Sequence, residues 1–216
     1  MYRSFMWLAR GLAVLLMPIG SCLLALMPSA AVVPPSAPRV LVVAHRGGAG
    51  IAPENTLAAI RKSIGLRADY VEVDVRTTAD GVLALMHDRT VARTTDGTGE
   101  VERLTWSEMA RLNANVSGRG RRQRIPTFEE AVRLCRSRIG LYIDHKAASP
   151  AAVAAALDKA AFGRKAVVYG NRTVLAEYRR IRPELAIMTG HPDTTDLMAQ
   201  LVEELHLNIL DGHLLE

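Results

Sequence analysis

Cysteine is scarce in this chain of 216 residues: only Cys22, inside an apolar leader, and Cys135, in the body. The body therefore holds one thiol, and a disulfide-dense scaffold is excluded even though the leader implies an export route that permits disulfides. A large charge of one sign is missing too, since 27 Lys and Arg against 22 Asp and Glu leave a formal +5. Residues 1–31 hold Arg3 and Arg10 and no acid, so the remainder carries only +3. With no Lys/Arg stripe interleaved with aromatics, that surplus predicts no nucleic-acid partner and reads as a solubility feature. The balance of 49% hydrophobic and 23% charged residues is that of a globular protein and excludes disorder or a collagen-like repeat for most of the chain. The length suits one domain with a sizeable core.

Arg3 and Arg10 precede an apolar stretch from Gly11 to Met27, and the small residues Ser29, Ala30 and Ala31 follow. This order predicts a secretory signal peptide over 1–31 and an exported, periplasmic or secreted, protein. Two other readings of the leader are weaker. Ile19-Gly20-Ser21-Cys22 loosely resembles a lipoprotein lipobox, but apolar sequence continues after the cysteine. As an uncleaved membrane anchor, Gly11–Met27 is short and interrupted by Pro18. Three prolines within Val33–Pro38 predict a linker over 32–39, which places the domain at 40–216.

A β-then-α rhythm begins at Arg39. Val40–Ala44 is a continuous apolar run of strand length, and Asn55 is placed to cap a helix running to about Leu66. Tyr70–Val75 alternates, with Val71, Val73 and Val75 on one face and Glu72 and Asp74 on the other. Asp80-Gly81 predicts a hairpin turn into a short strand over Val82–Met86. Arg89–Ile125 is less regular, but Thr105 and Glu108 form a capping box. A second box, Thr127 and Glu130, opens a helix to about Arg138. Strands follow at Leu141–Ile143, Ala166–Tyr169, Ala186–Met188 and Asn208–Leu210. Between them lie helices from Ser149-Pro150 to near Phe162, over Thr173–Ile181 and over Thr195–Leu205. Six strands separated by helices predict an α/β fold with a parallel sheet and right-handed crossovers. Rhythm alone leaves an open doubly wound sheet and a (β/α)₈ barrel both available.

In both architectures reactive groups gather at the carboxyl ends of the parallel strands. Polar residues stand at those ends: His45-Arg46-Gly47-Gly48, Glu72 with Asp74, His87-Asp88, and Asp144-His145-Lys146. Close carboxylates repel unless a cation lies between them. Glu72, Asp74 and Asp144 would supply three hard oxygen ligands, which suits Ca²⁺ or Mg²⁺ and does not suit zinc. The plainer alternative pairs Glu72 with a surface arginine and uses Asp144 to cap the next helix. Arg46 and Lys146 can hold a phosphate, and His45 and His87 can supply a base and an acid for phosphodiester cleavage. The remaining histidines, His191, His206 and His213, read as loop, helix-end and terminal residues. Arg119, Arg121, Arg122 and Arg124 read as a solvated loop, or as a patch that draws anionic head groups or polyanionic substrates to the mouth of the site.

These motifs resemble the glycerophosphodiester phosphodiesterase family. The likeness runs through His45-Arg46-Gly47, Pro53-Glu54-Asn55-Thr56, Glu72-Val73-Asp74, Asp80-Gly81, His87-Asp88, Arg93-Thr94-Thr95, Pro126-Thr127 and Asp144-His145-Lys146. It is dense over residues 40–150 and weaker beyond. The resemblance implies a TIM-type (β/α) barrel, one divalent cation, and hydrolysis of a small-molecule glycerophosphodiester to glycerol 3-phosphate and an alcohol. Glu72, Asp74 and Asp144 then match the metal ligands, His45 and His87 the acid–base pair, Arg46 and Lys146 the phosphate clamps. Glu54 matches a supporting carboxylate that binds or orients in the site. Asp144 stands where glutamate is usual, one methylene shorter, and His145 stands where an apolar residue is commoner. A whole barrel takes about 250 residues, and the region matching the family's last two strands is missing. The expectation is a barrel truncated after about six strands. Two further functions fit the same motifs: a phospholipase- or sphingomyelinase-D-like enzyme with peripheral contact to membrane lipid head groups, and a non-catalytic remnant that binds phosphodiesters.

Overall fold

The computed structural model of the chain describes residues 40–116, 121–163, 165–190, 195–206 and 209–211. The expected signal peptide and linker, Arg119, His191, Asn208 and His213 lie outside the described residues. Thirteen regular elements alternate along the rest. They are β1 (Val43–Ala44), α1 (Leu57–Gly65), β2 (Tyr70–Thr77), β3 (Leu83–Leu85), α2 (Trp106–Met109), α3 (Phe128–Cys135) and β4 (Gly140–Ala147). There follow α4 (Pro150–Lys159), β5 (Ala166–Tyr169), α5 (Arg172–Ile181), β6 (Ala186–Gly190), α6 (Thr195–Leu205) and β7 (Ile209–Asp211). Among the described residues no helix is long and apolar enough to cross a membrane.

The strand order is β1-β2-β4-β5-β6-β7, every neighbouring pair parallel, with β3 attached antiparallel to β2. Each new parallel strand is laid down beside the previous one. A doubly wound sheet instead reverses direction at a switch point. The unreversed order is that of a TIM-type barrel, and it decides between the two architectures that the β–α rhythm left open.

Local chemistry explains most boundaries. Both capping boxes form: Thr105 and Thr127 each accept from an amide three residues on, and Glu108 and Glu130 bond back to the cap amides. Ser149 caps α4, followed by Pro150 in its first turn, where the missing N–H costs nothing. The cap of α1 is a correction: Thr56, not Asn55, accepts from the Ala59 amide. A second correction concerns β1. The apolar run Val40–Val43 is exposed, and only Val43 and Ala44 pair in regular register with β2. The run reads like a buried strand because it is apolar, yet it lies on the sheet's edge.

The main core packs one face of the sheet against the helices. Val71, Val73 and Val75 are fully buried there, beside Ile143, Val168 and Ile187 from the neighbouring strands and Phe128 and Leu157 from α3 and α4. Each fully buried valine or leucine contributes about 1.5–3 kcal/mol. A smaller second core gathers Ala84, Met86, Val91, Val101, Met109, Ala114 and Ile125. It anchors the irregular 86–125 segment to β3, and so fixes the backbone that carries His87 and Arg93.

Candidate active site

The site begins with the alternation of β2. Putting its valines into the core forces Glu72 and Asp74 onto the opposite face, and both are nonetheless buried, at 4% and 1% exposure. The neighbouring parallel strand β4 runs in register, with Asp74 beside Asp144. Strand β4 extends to Ala147, past the expected end at Ile143, so Asp144, His145 and Lys146 are strand residues. One carboxylate oxygen from each of Glu72, Asp74 and Asp144 lies within 4.8 Å of the others. The shorter side chain at 144 thus reaches the cluster.

Neither plainer role applies. The Glu72 carboxylate accepts from the backbone amide of Arg46 through Oε2, and Ser149 caps the helix that follows Asp144. Asp74 Oδ2 accepts from Asn55 Nδ2 at 2.7 Å, while the Asp74 amide donates to Asn55 Oδ1 at 3.2 Å. Lys146 Nζ donates to Asp144 Oδ2 at 2.7 Å and lies 3.4 Å from Asp74 Oδ1. Glu72 Oε1 and Asp74 Oδ1 are buried and accept no hydrogen bond. Burial, then the negative charge of Asp74, pushes the Glu72 carboxyl up to about 8. Buried carboxylate oxygens without donors are costly, and the convergence of three carboxylates fits a hard divalent cation held by oxygen ligands.

His45-Arg46-Gly47 forms a 3₁₀ turn at the end of β1. Arg46 adopts φ 50°, and Gly47 and Gly48 continue in the left-handed region at 79° and 111°. A Cβ on Gly48 would stand 2.5 Å from Ser63 Oγ, so glycine is required there on two counts. Helix α1 holds the turn through Ser63 Oγ to the Gly47 carbonyl, at 2.8 Å, and the Asn55 amide bonds the Arg46 carbonyl at 2.8 Å. The strained backbone of Arg46 is what aims its amide at Glu72. Its side chain donates from Nη1 to Glu54 at 3.2 Å, leaving Nε buried without an acceptor. The ring of His45 is exposed.

The antiparallel return of β3 places the Met86 amide on the Asp74 carbonyl at 3.1 Å, so His87 follows one residue on from a backbone bond to the strand that carries Glu72 and Asp74. His87 Nδ1 lies 2.7 Å from Asp88 Oδ1. The carbonyl of His87 accepts from Arg76 Nε and Nη2, at 3.1 and 3.0 Å, and Arg76 also pairs with Glu102 at 2.9 Å. Arg93 grips both Asp88 and Glu54. Hydrogen bonds from Arg93 hold both of those carboxyls below the usual carboxylate range.

Of the expected residues, Glu72, Asp74, Asp144 and Lys146 form one cluster, tied to Arg46 through its amide. Glu54 is joined to Arg46 and Arg93. Asn55, expected as a helix cap, instead bonds Asp74, and Arg76, Asp88 and Arg93 make contacts around the site for which the sequence reading had no role. Their motifs mark them, but only the fold shows what each one touches. His145 points its Nδ1 to Tyr178 on α5, at 3.0 Å, and burial lowers its proton affinity. It replaces an apolar residue by packing its ring edge-on against that buried tyrosine.

Fold and site together define a (β/α) protein with an oxygen-rich, hard-cation type of cluster at its strand ends. The chain belongs to the glycerophosphoryl diester phosphodiesterase family, whose pattern matches residues 45–210. It is 47% identical over 122 residues to glycerophosphodiester phosphodiesterase 1 of Mus musculus, a match covering 54% of this chain and 37% of that protein. The chain thus spans little more than a third of that relative. The crystal structure of a glycerophosphodiester phosphodiesterase from Agrobacterium tumefaciens superposes with a TM-score of 0.73 at 34% identity, covering 80% of this chain and 75% of that one. An Oleispira antarctica phosphodiesterase, solved in complex with its product sn-glycerol-3-phosphate, gives 0.72 at 27% identity, covering 79% and 74%.

Proposed function

We propose that the protein is a metal-dependent phosphodiesterase that hydrolyses glycerophosphodiesters to glycerol 3-phosphate and an alcohol. The observation that carries this reading is the convergence of Glu72, Asp74 and Asp144 within 4.8 Å, with Glu72 Oε1 buried and without a hydrogen-bond donor among the described residues. The product recorded in the Oleispira antarctica relative supports the substrate class. Glu72, Asp74 and Asp144 would hold one Ca²⁺ or Mg²⁺. Such an ion supplies positive charge to a substrate phosphate and acidifies an oxygen bound beside it.

The chain's own groups supply the rest. The unsatisfied Nε of Arg46 is a ready donor to a phosphate oxygen, and Lys146, paired with Asp144 and close to Asp74, adds a point charge. An ionised Asp88 only accepts, so His87 donates from Nδ1 and carries its lone pair on Nε2. His87 and His45 form the acid–base pair: one takes the proton of the attacking hydroxyl, the other gives a proton to the departing alkoxide. By analogy with the family, a neighbouring hydroxyl of the substrate attacks phosphorus, and water opens the cyclic phosphate that results.

Purified protein with Ca²⁺ or Mg²⁺ is expected to release glycerol 3-phosphate from glycerophosphocholine. Glu72→Ala is expected to abolish release while the circular dichroism spectrum is retained. Full turnover after chelation overturns the metal assignment.

Action on intact lipid is the second reading, supported by a cleft of about 700 Å³ lined, among the described residues, by Arg61, Arg111, Arg122 and Arg124, of which Arg124 pairs with Glu130. Peripheral contact with anionic head groups there predicts faster cleavage of micellar lipid than of the soluble diester. Export through residues 1–31 is a proposal that N-terminal sequencing of the secreted protein tests.

A further inference from the structure

Arg93 lies in the segment between β3 and α2, on a turn locked to the second core. The Thr95 amide and hydroxyl both bond the carbonyl of fully buried Val91, at 3.0 and 2.8 Å. From that platform its guanidinium makes four hydrogen bonds to two carboxylates. Nη1 and Nη2 meet Glu54 at 2.9 and 2.7 Å, while Nε and Nη2 meet Asp88 at 2.6 and 3.0 Å. Asp88 Oδ1 takes His87 Nδ1, and Glu54 takes Arg46 Nη1. Five side chains thus run in an unbroken file, Arg46–Glu54–Arg93–Asp88–His87, from one end of the proposed site to the other. Its charges balance when His87 is neutral.

We infer that Arg93 is a positioning residue for His87: by holding both oxygens of Asp88 it fixes the imidazole in the Nδ1–H tautomer, and through Glu54 it ties that imidazole to the loop of Arg46. The inference rests on reading His87 as one of the acid–base pair. A planar fork gives each of two carboxylates a two-point grip, which a single ammonium cannot do, so lysine at this position is not a conservative change. Stability is not the purpose of the contact. The Arg93 side chain is 47% exposed, and pairs of that kind contribute little to folding. What a rigid fork supplies here is orientation. The charged groups facing His87 are Asp88 on its ring, Arg93 behind Asp88, and Arg76 on its carbonyl.

The test compares the parent protein with Arg93→Gln and Arg93→Lys. In histidine-¹⁵N-labelled protein, with His87 assigned by loss of its signals in His87→Gln, the parent is expected to show Nδ1–H and an unprotonated Nε2. Both variants are expected to move toward Nε2–H, the form a free imidazole prefers. An unchanged tautomer in the variants overturns the inference. This readout needs no turnover, so it decides the role of Arg93 even if the parent cleaves no glycerophosphodiester. In the kinetic arm, kcat on glycerophosphocholine is expected to fall about 10–100-fold in both variants, the loss typical of orienting groups behind a reactive one. KM is expected to stay within about threefold and the melting temperature within about 2 °C, as for an exposed ion pair. A rise in KM alone, or full activity in the lysine variant, overturns it.

Discussion

Two groups of acids stand side by side in this molecule and are treated in opposite ways. Glu54 and Asp88 are saturated by Arg93 and Arg46, and both titrate below the ordinary carboxylate range. Glu72, Asp74 and Asp144 face one another with only Lys146 between two of them, and Glu72 is pushed up to about 8. The first group is internally neutral and serves as a brace. The second holds three acids against one lysine among the described residues, a deficit that a proton on Glu72 relieves and that a bound cation would relieve further. Burial is part of the difference, since Glu72 and Asp74 are the more deeply buried and burial is the first cause of the Glu72 shift. The other part is the guanidinium of Arg93, which the fold supplies to Glu54 and Asp88.

The contrast can be broken most sharply at Asp74. Replacing it with Asn removes a charge from the cluster while keeping the Asn55 side chain within reach. Turnover is expected to drop by about 10²–10³-fold, as when a group that stabilises transition-state charge is lost. Calcium titration calorimetry on the same variant is expected to show no binding at concentrations that saturate the parent.

Next in size is a pH effect that belongs to the deficient group alone. With its carboxyl raised from 4.5 to about 8, Glu72 keeps a proton at neutral pH that it loses when unfolded. Its contribution to stability is therefore fully present below pH 4.5 and is lost as the pH rises through about 8. A cation must displace that proton, so metal affinity is expected to rise up to about tenfold per pH unit between pH 6 and 8. Melting curves with chelator and with Ca²⁺ should diverge across the same interval. Affinity that is flat from pH 6 to 8 would contradict the assignment.

Asn55→Ala sharpens the comparison further. It strips Asp74 Oδ2 of its only side-chain donor among the described residues, a buried loss of about 1–3 kcal/mol. Urea unfolding in chelator is expected to show that cost, and added Ca²⁺ to recover part of it. The smallest change expected is Asp144→Glu, which restores the family's commoner residue. Metal affinity should shift by less than about tenfold, because the shorter side chain already reaches the cluster.

Much of this was readable before any coordinate. The alternation of β2 placed Glu72 and Asp74 on one face, both capping boxes formed where Thr-x-x-Glu stands, and Asp80-Gly81 turned the chain. Each is a local rule acting over fewer than ten residues. The failures share a different cause. Asn55 looks like a helix cap because a short polar side chain ahead of an apolar run suits either role, and the choice is made by Asp74, 19 residues away. Strand β4 outruns its apolar run because the polar tail Asp144-His145-Lys146 lies alongside β2 and gains its ladder there. Arg93 finds Glu54 across 39 residues, a distance over which no periodicity carries information. The β–α rhythm did not choose between a doubly wound sheet and a barrel; the family motifs implied the barrel, and the strand order bears it out.

One detail of the cluster sets its coordination chemistry. Glu72 Oε2 is taken by the Arg46 amide, Asp74 Oδ2 by Asn55 and Asp144 Oδ2 by Lys146. Each carboxylate has therefore committed one of its two oxygens, and none is prepared to chelate in bidentate fashion. Hard divalent cations take six or more oxygen ligands, so the three free carboxylate oxygens would hold an ion and leave room for water and for an oxygen of the diester.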